Sequence, residues 1–131
     1  MIPIKPETYA GIAVPEFRPK TIQDIVEIVV SYFKGTDTDK ILSRSRLREH
    51  AIPRQLIHTM VRLAYPEKSY RTIGIETGSR NHATVLNSLK VIRNLTETDS
   101  MNKVLFNRVA LACGVLHKFQ EFTTQNQEEQ K

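Results

Sequence analysis

Apolar side chains recur at helical spacing through most of the chain beyond residue 20. Ile22, Ile25, Val26, Val29, Tyr32 and Phe33 predict a helix that opens on Thr21 as N-cap, carries Asp24 in its first turn and stops at Gly35. Asp37 suits the cap of a short helical turn ending at Leu42. Pro53, which has no N–H to satisfy, suits the first position of the next helix. That helix turns Leu56, Ile57, Met60, Val61, Leu63 and Ala64 inward and ends near Tyr65 and Pro66. Ser69 caps a short helix holding Tyr70, Ile73 and Ile75. Gly78 marks a break, and Ser79 caps a helix running to about Asn94, with Val85, Leu86, Leu89 and Ile92 on its inner face. Thr98, Asp99 and Ser100 offer further caps. From Met101, the residues Val104, Leu105, Val109, Ala112, Val115, Leu116, Phe119 and Phe122 trace one helix of about six turns.

No strand alternation and no repeat period interrupts this pattern. The expected fold is all-α, a helical bundle containing a helix-turn-helix and a longer C-terminal helix. Residues 1–20, punctuated by Pro3, Pro6, Pro15 and Pro19, read as an arm, and residues 21–95 as the domain. Residues 96–122 read as the C-terminal helix, and the Gln- and Glu-rich residues 123–131 as a flexible tail.

Length and composition narrow the classes. At 131 residues the chain suits one domain. With 40% hydrophobic and 25% charged residues, it can bury a core. One cysteine, Cys113, excludes an internal disulfide framework and a cysteine-based zinc site. The apolar run 109–116 is far shorter than a bilayer span, and no charged-then-apolar leader opens the sequence. The expectation is a soluble protein of a reducing compartment, placed in the cytoplasm with the nucleoid.

Charge distribution adds a direction. The net charge is +5, but residues 40–93 hold 11 of the 19 Lys/Arg and only three acids, Glu49, Glu67 and Glu76. That stretch is +8, and the remainder is −3. Concentrated positive charge is the electrostatic footprint expected for a phosphate polyanion.

The helix near residues 69–76, the turn at Gly78 and the helix that follows have helix-turn-helix proportions. In that motif the second helix enters the major groove and reads bases with its N-terminal residues. Here those residues are Arg80, Asn81, His82, Ala83 and Thr84, short and donor-rich, ahead of an apolar face beginning at Val85. A helix N-terminus also presents free N–H groups and a positive dipole end to phosphate.

Three segments occur in a telling order: LSRSRLREHAIPRQ at 42–55, YRTIG at 70–74 and GSRNHATVLNSLKVI at 78–92. Together they resemble the C-terminal DNA-binding domain of the bacterial replication initiator DnaA. Arg80, His82, Thr84, Val85 and Leu86 keep the family's Arg-x-His-x-Thr-Val-Leu core. The resemblance covers approximately residues 21–95. It implies a Trp-repressor-like helix-turn-helix that binds a short duplex element, the DnaA box. It also implies that Arg46 enters the minor groove, where a narrow A·T tract concentrates negative potential. Arg54, Gln55 and Arg80 would hold phosphates, while Asn81, His82, Ala83 and Thr84 face the major groove. Arg44 and Arg48 flank Arg46 and are read as DNA contacts with it.

The sequence departs from the family in four ways. Asn81 replaces a usual Asp, so an acceptor-only group becomes an acceptor-plus-donor pair suited to adenine. Ala83 replaces Ser or Thr, and Arg71 stands where proline is common, adding a charge at the groove edge. These changes imply an altered base preference. The fourth departure is the lack of a Gly-rich phosphate loop ending in Lys-Ser/Thr. The expected protein is therefore a stand-alone, non-enzymatic DNA binder of a bacterial or mobile-element replicon, acting in replication or transcription control without a cofactor.

Other residues carry little chemistry. His50 and His58 lack ligand partners at metal-binding spacing, Cys113 belongs to an apolar stripe, and Glu67 and Glu76 have no paired carboxylate. The rival reading is a DnaA-like scaffold whose C-terminal helix docks a protein partner or a second copy of the chain.

Overall fold

The computed structural model describes residues 21–42, 48–78 and 81–124, with the side chain of Arg48 outside that set. The described residues form seven helices and no strands: α1 (Ile22–Ser31), α2 (Thr38–Leu42), α3 (Arg48–Ala64), α4 (Tyr70–Glu76), α5 (His82–Thr98), α6 (Ser100–Ala112) and α7 (Leu116–Thr124). Helices α3 and α5 form the central pair. Helices α1 and α2 cover α3, α4 lies against α5, and α6 and α7 close the other side. The core gathers Ile25, Val29, Leu56, Ile57, Met60, Ile73, Val85, Ile92, Phe106 and Phe119, each 0% exposed. Every helix except the short α2 and α4 therefore contributes an apolar stripe at helical spacing.

Local chemistry sets most of the helix starts. Thr21 and Asp24 form a reciprocal capping box on α1, with both hydrogen bonds at 3.1 Å. Asp37 accepts from the Lys40 amide at 2.8 Å ahead of α2. The Ser69 hydroxyl accepts from the Thr72 amide at the start of α4. A single extended residue, Asp99, ends α5 and caps α6, accepting from the amides of Met101 and Asn102.

Several boundaries differ from expectation. Helix α1 stops at Ser31 rather than Gly35, because the amides of Tyr32 and Phe33 turn back to the carbonyls of Val29 and Val30, a tighter i to i+3 pattern. Helix α3 begins at Arg48, so Pro53 lies inside it. The proline removes the one backbone bond it would have donated to Glu49, which the packing of α3 outweighs. Helix α5 is capped by Asn81, not Ser79. Leu86, expected to face inward, is 37% exposed, and Ile75 on α4 is 58% exposed.

The largest difference is in the C-terminal stretch. The expected single helix over 101–122 is two helices broken at Gly114, which adopts φ +75°. The Gly114 amide donates to Leu111, and the Val115 amide reaches back to Ala110. This pair of bonds is a Schellman stop, which requires a left-handed residue and so favours glycine. The hydrophobic periodicity continues across the break because Val115, Phe119 and Phe122 return to the same core.

The Gly114 turn swings α7 back over the C-terminal ends of α3 and α5. Lys118 Nζ donates to the Leu63 carbonyl at 3.3 Å, and the Arg93 guanidinium lies 4.3 Å from the centre of the Phe122 ring. The opposite ends of α3 and α5 are left uncovered by α7.

Candidate nucleic-acid interface

Local contacts fix α4, the loop before it and the start of the turn that follows it. Arg62 closes the preceding loop: its Nη1 donates to the carbonyls of Pro66 and Lys68, and its guanidinium lies 4.8 Å from the centre of the Tyr70 ring. Lys68 pairs with Glu76 at 3.2 Å across α4. At the far end of α4 the Thr77 amide and hydroxyl both donate to the Ile73 carbonyl. Gly78 then takes φ +114°, a conformation costly for any side-chain-bearing residue.

Gly78 is also in close contact with the end of α2. A Cβ placed on it would fall 2.6 Å from the Leu42 carbonyl oxygen. One residue earlier, the Ile41 carbonyl accepts from Arg54 Nε at 2.7 Å. The chain thus enters the basic stretch 43–48 beside the turn that leads to α5. Arg54, early in α3, clamps that same corner.

Helix α5 begins in the open. Asn81, His82, Ala83 and Thr84 are all exposed, whereas Val85 is buried. The Asn81 side-chain oxygen accepts from the Thr84 amide at 2.8 Å. The cap engages one lone pair of that oxygen, and the Nδ2 amide takes no part in the cap hydrogen bond. The solvent face continues through Leu86, Asn87 and Lys90, spaced so as to lie on one side of the helix. Placing Leu86 on the inner face hid this extension from the sequence reading.

His58 Nδ1 lies 2.7 Å from Ser88 Oγ, which registers α3 against α5. One turn earlier on α3 are Arg54 and Gln55, and one turn earlier on α5 is Thr84. Because α7 reaches the later parts of both helices, Arg54 and Gln55 share an end of the molecule with the exposed α5 tip. Arg54 and Gln55 are half-buried, and Arg54 Nη2 is buried. Arg71 is exposed on the first turn of α4. Arg44, Arg46 and Arg80 lie outside the described residues, as does the side chain of Arg48. Leu42 and Gly78, which lead toward them, meet at the clamp just described.

Elsewhere, Cys113 is buried at 1% exposure, and burial pushes its thiol up to about 12. Among the described residues no group of three His, Cys, Asp or Glu could hold a metal ion, and no helix is long and apolar enough to cross a membrane.

A short first helix, a glycine turn and a second helix with an open polar tip define a helix-turn-helix domain within an all-α bundle. A family model described as bacterial dnaA protein helix-turn-helix matches residues 22–92. The chain belongs to that family. Its relatives include the chromosomal replication initiator protein DnaA of Wolbachia pipientis wMel, 33% identical over 103 residues that cover 79% of this chain and 22% of the relative. The protein of the same name from Flavobacterium psychrophilum is 35% identical over 80 residues, 61% of this chain and 16% of the relative. That of Rickettsia canadensis is 37% identical over 79 residues, 60% and 17% respectively. The chain therefore spans about a fifth of the length of these curated relatives. No solved structure matches it.

Proposed function

We propose that this chain is a non-enzymatic, sequence-selective binder of duplex DNA that recognises a DnaA-box-like element in replication or transcription control. The observation that carries the reading is the corner where the Leu42 carbonyl, Arg54 and Gly78 meet beside the open tip of α5. Phosphate contacts from the basic stretch set the register there, and the tip reads base edges. Arg46 enters the minor groove, flanked by Arg44 and Arg48. Gln55, Arg80 and Arg71 hold phosphates. Arg54 acts first as the clamp on α2, with Nε on the Ile41 carbonyl and Nη2 buried, and holds phosphate second.

His82, Ala83 and Thr84 face the major groove, joined by Leu86 and Asn87 from the same exposed face. Asn81 contributes its Nδ2 donor and the second lone pair of its oxygen, the donor-plus-acceptor pair suited to adenine. An aspartate there would cap the helix equally well but bring a negative charge to the DNA. The relatives' name, chromosomal replication initiator, supports a role at a replication origin. Selection from randomised duplexes by the purified protein tests the reading. Enrichment of one element differing from the ordinary DnaA box is expected, and enrichment of none contradicts it.

A second reading, a protein-interaction module, draws support from α6. Met101, Val104 and Leu111 are 81%, 53% and 49% exposed along one face of that helix.

A further inference from the structure

Ser88 has a single hydroxyl proton and two polar neighbours. Its Oγ donates to the Thr84 carbonyl at 3.0 Å, within α5, and lies 2.7 Å from His58 Nδ1 on α3. With the proton directed to Thr84, the serine oxygen can only accept from the histidine, so Nδ1 carries a hydrogen. The result is a directed chain: His58 Nδ1–H to Ser88 Oγ–H to the Thr84 carbonyl. His58 is 0% and Ser88 3% exposed, so the chain runs through the core and ends under the first turn of α5.

Thr84 is joined from both sides. Its amide donates to Asn81, and its carbonyl accepts from Ser88. On α3, His58 is one turn beyond Arg54, which holds the α2 corner through the Ile41 carbonyl. Two polar bonds from adjacent turns of α3 therefore fix the two pieces of backbone that flank the site. An apolar pair at 58 and 88 would fill the space but would set neither direction nor register.

We infer that His58 and Ser88 are positioning residues that aim the α5 tip, and so determine how sharply the protein discriminates among duplexes. This rests on the duplex-reading function proposed above. Removing both polar partners leaves neither member of the pair stranded by the other, as single removal does. The variants are Ser88→Ala, His58→Leu and the double variant. They are compared in thermal unfolding, in the affinity ratio for the selected duplex over a scrambled one, in the salt slope, and in amide exchange of the free protein.

Both single variants should unfold at lower temperature, and the double variant should lose less than the two single losses added together. The double variant should still lose about fivefold of the affinity ratio, the factor that one ordinary hydrogen bond is worth, at an unchanged salt slope. Its amides at 84–88 should exchange faster than in the parent while α6 is unaffected. A double variant that keeps both the parent's affinity ratio and its exchange pattern overturns the inference. If the parent itself prefers no duplex, the functional reading fails, and exchange at 84–88 alone decides whether the pair positions the tip: unchanged exchange sinks it.

Discussion

Gly78 lies so close to Leu42 that the carbonyl oxygen of the latter occupies the space a side chain at 78 would need, 2.6 Å from its Cβ. The contact joins two backbone segments, so neither can move aside as a flexible side chain would. Gly78→Ala should therefore cost stability twice, through the clash and through a φ of +114°. A loss of about 1–3 kcal/mol is expected in denaturant unfolding, with weaker duplex binding from a displaced tip. Unchanged stability would show that the corner is loose.

Asn81 separates capping from readout. Asn81→Asp preserves an oxygen for the Thr84 amide and puts negative charge at a helix N-terminus, so stability should hold or rise by about 0.3–1 kcal/mol. Duplex affinity should fall, and the base preference should change, because a donor becomes an acceptor. Asn81→Ala should instead lose about 1 kcal/mol of stability. Equal duplex affinity for the parent and the Asp variant would remove Asn81 from the interface.

Arg71 and Arg54 should behave differently although both are cationic. Exposed Arg71 is expected to act on phosphate, so Arg71→Ala should reduce the salt slope of binding by about one while stability stays within about 0.5 kcal/mol. Arg54→Ala should lower the unfolding midpoint as well, since the Ile41 carbonyl loses its partner. Identical effects for the two variants would contradict the clamp.

Cys113 predicts an alkaline signature. Its folded-state thiol is raised from 9.0 to about 12 by burial. Stability from the neutral thiol is thus complete below pH 9 and lost as pH climbs toward 12, because the unfolded chain ionises first. Cys113→Ala should flatten the fall in unfolding free energy over that range. In the native parent, the thiol should resist thiol-specific reagents until the protein unfolds.

The sequence revealed those parts of the structure that local chemistry decides. The caps at Thr21, Asp37 and Ser69, the ends of α2 and α3, and the helix-turn-helix all follow from side chains acting within one turn of themselves. Tertiary contacts and backbone conformation decided the rest. Pro53 resembles a helix start, yet α3 extends earlier to Arg48. Apolar periodicity passes through Gly114 without a change of phase, so the Schellman stop is invisible to spacing, although a lone glycine before Val115 was a signal that could have been weighed. Leu86 has the type and spacing of a core residue and is nonetheless exposed. The tip residues were legible because polar residues cluster ahead of Val85. The His58–Ser88 pair was not, since two polar residues 30 apart give no sign that they meet.

The most direct test is to follow the backbone amides of the isotope-labelled protein as a selected duplex is added. The account predicts large resonance shifts at Asn81, His82, Ala83, Thr84 and Asn87, with smaller ones at Arg54 and Gln55. Shifts centred on Met101, Val104 and Leu111 of α6, with the α5 tip silent, would contradict it.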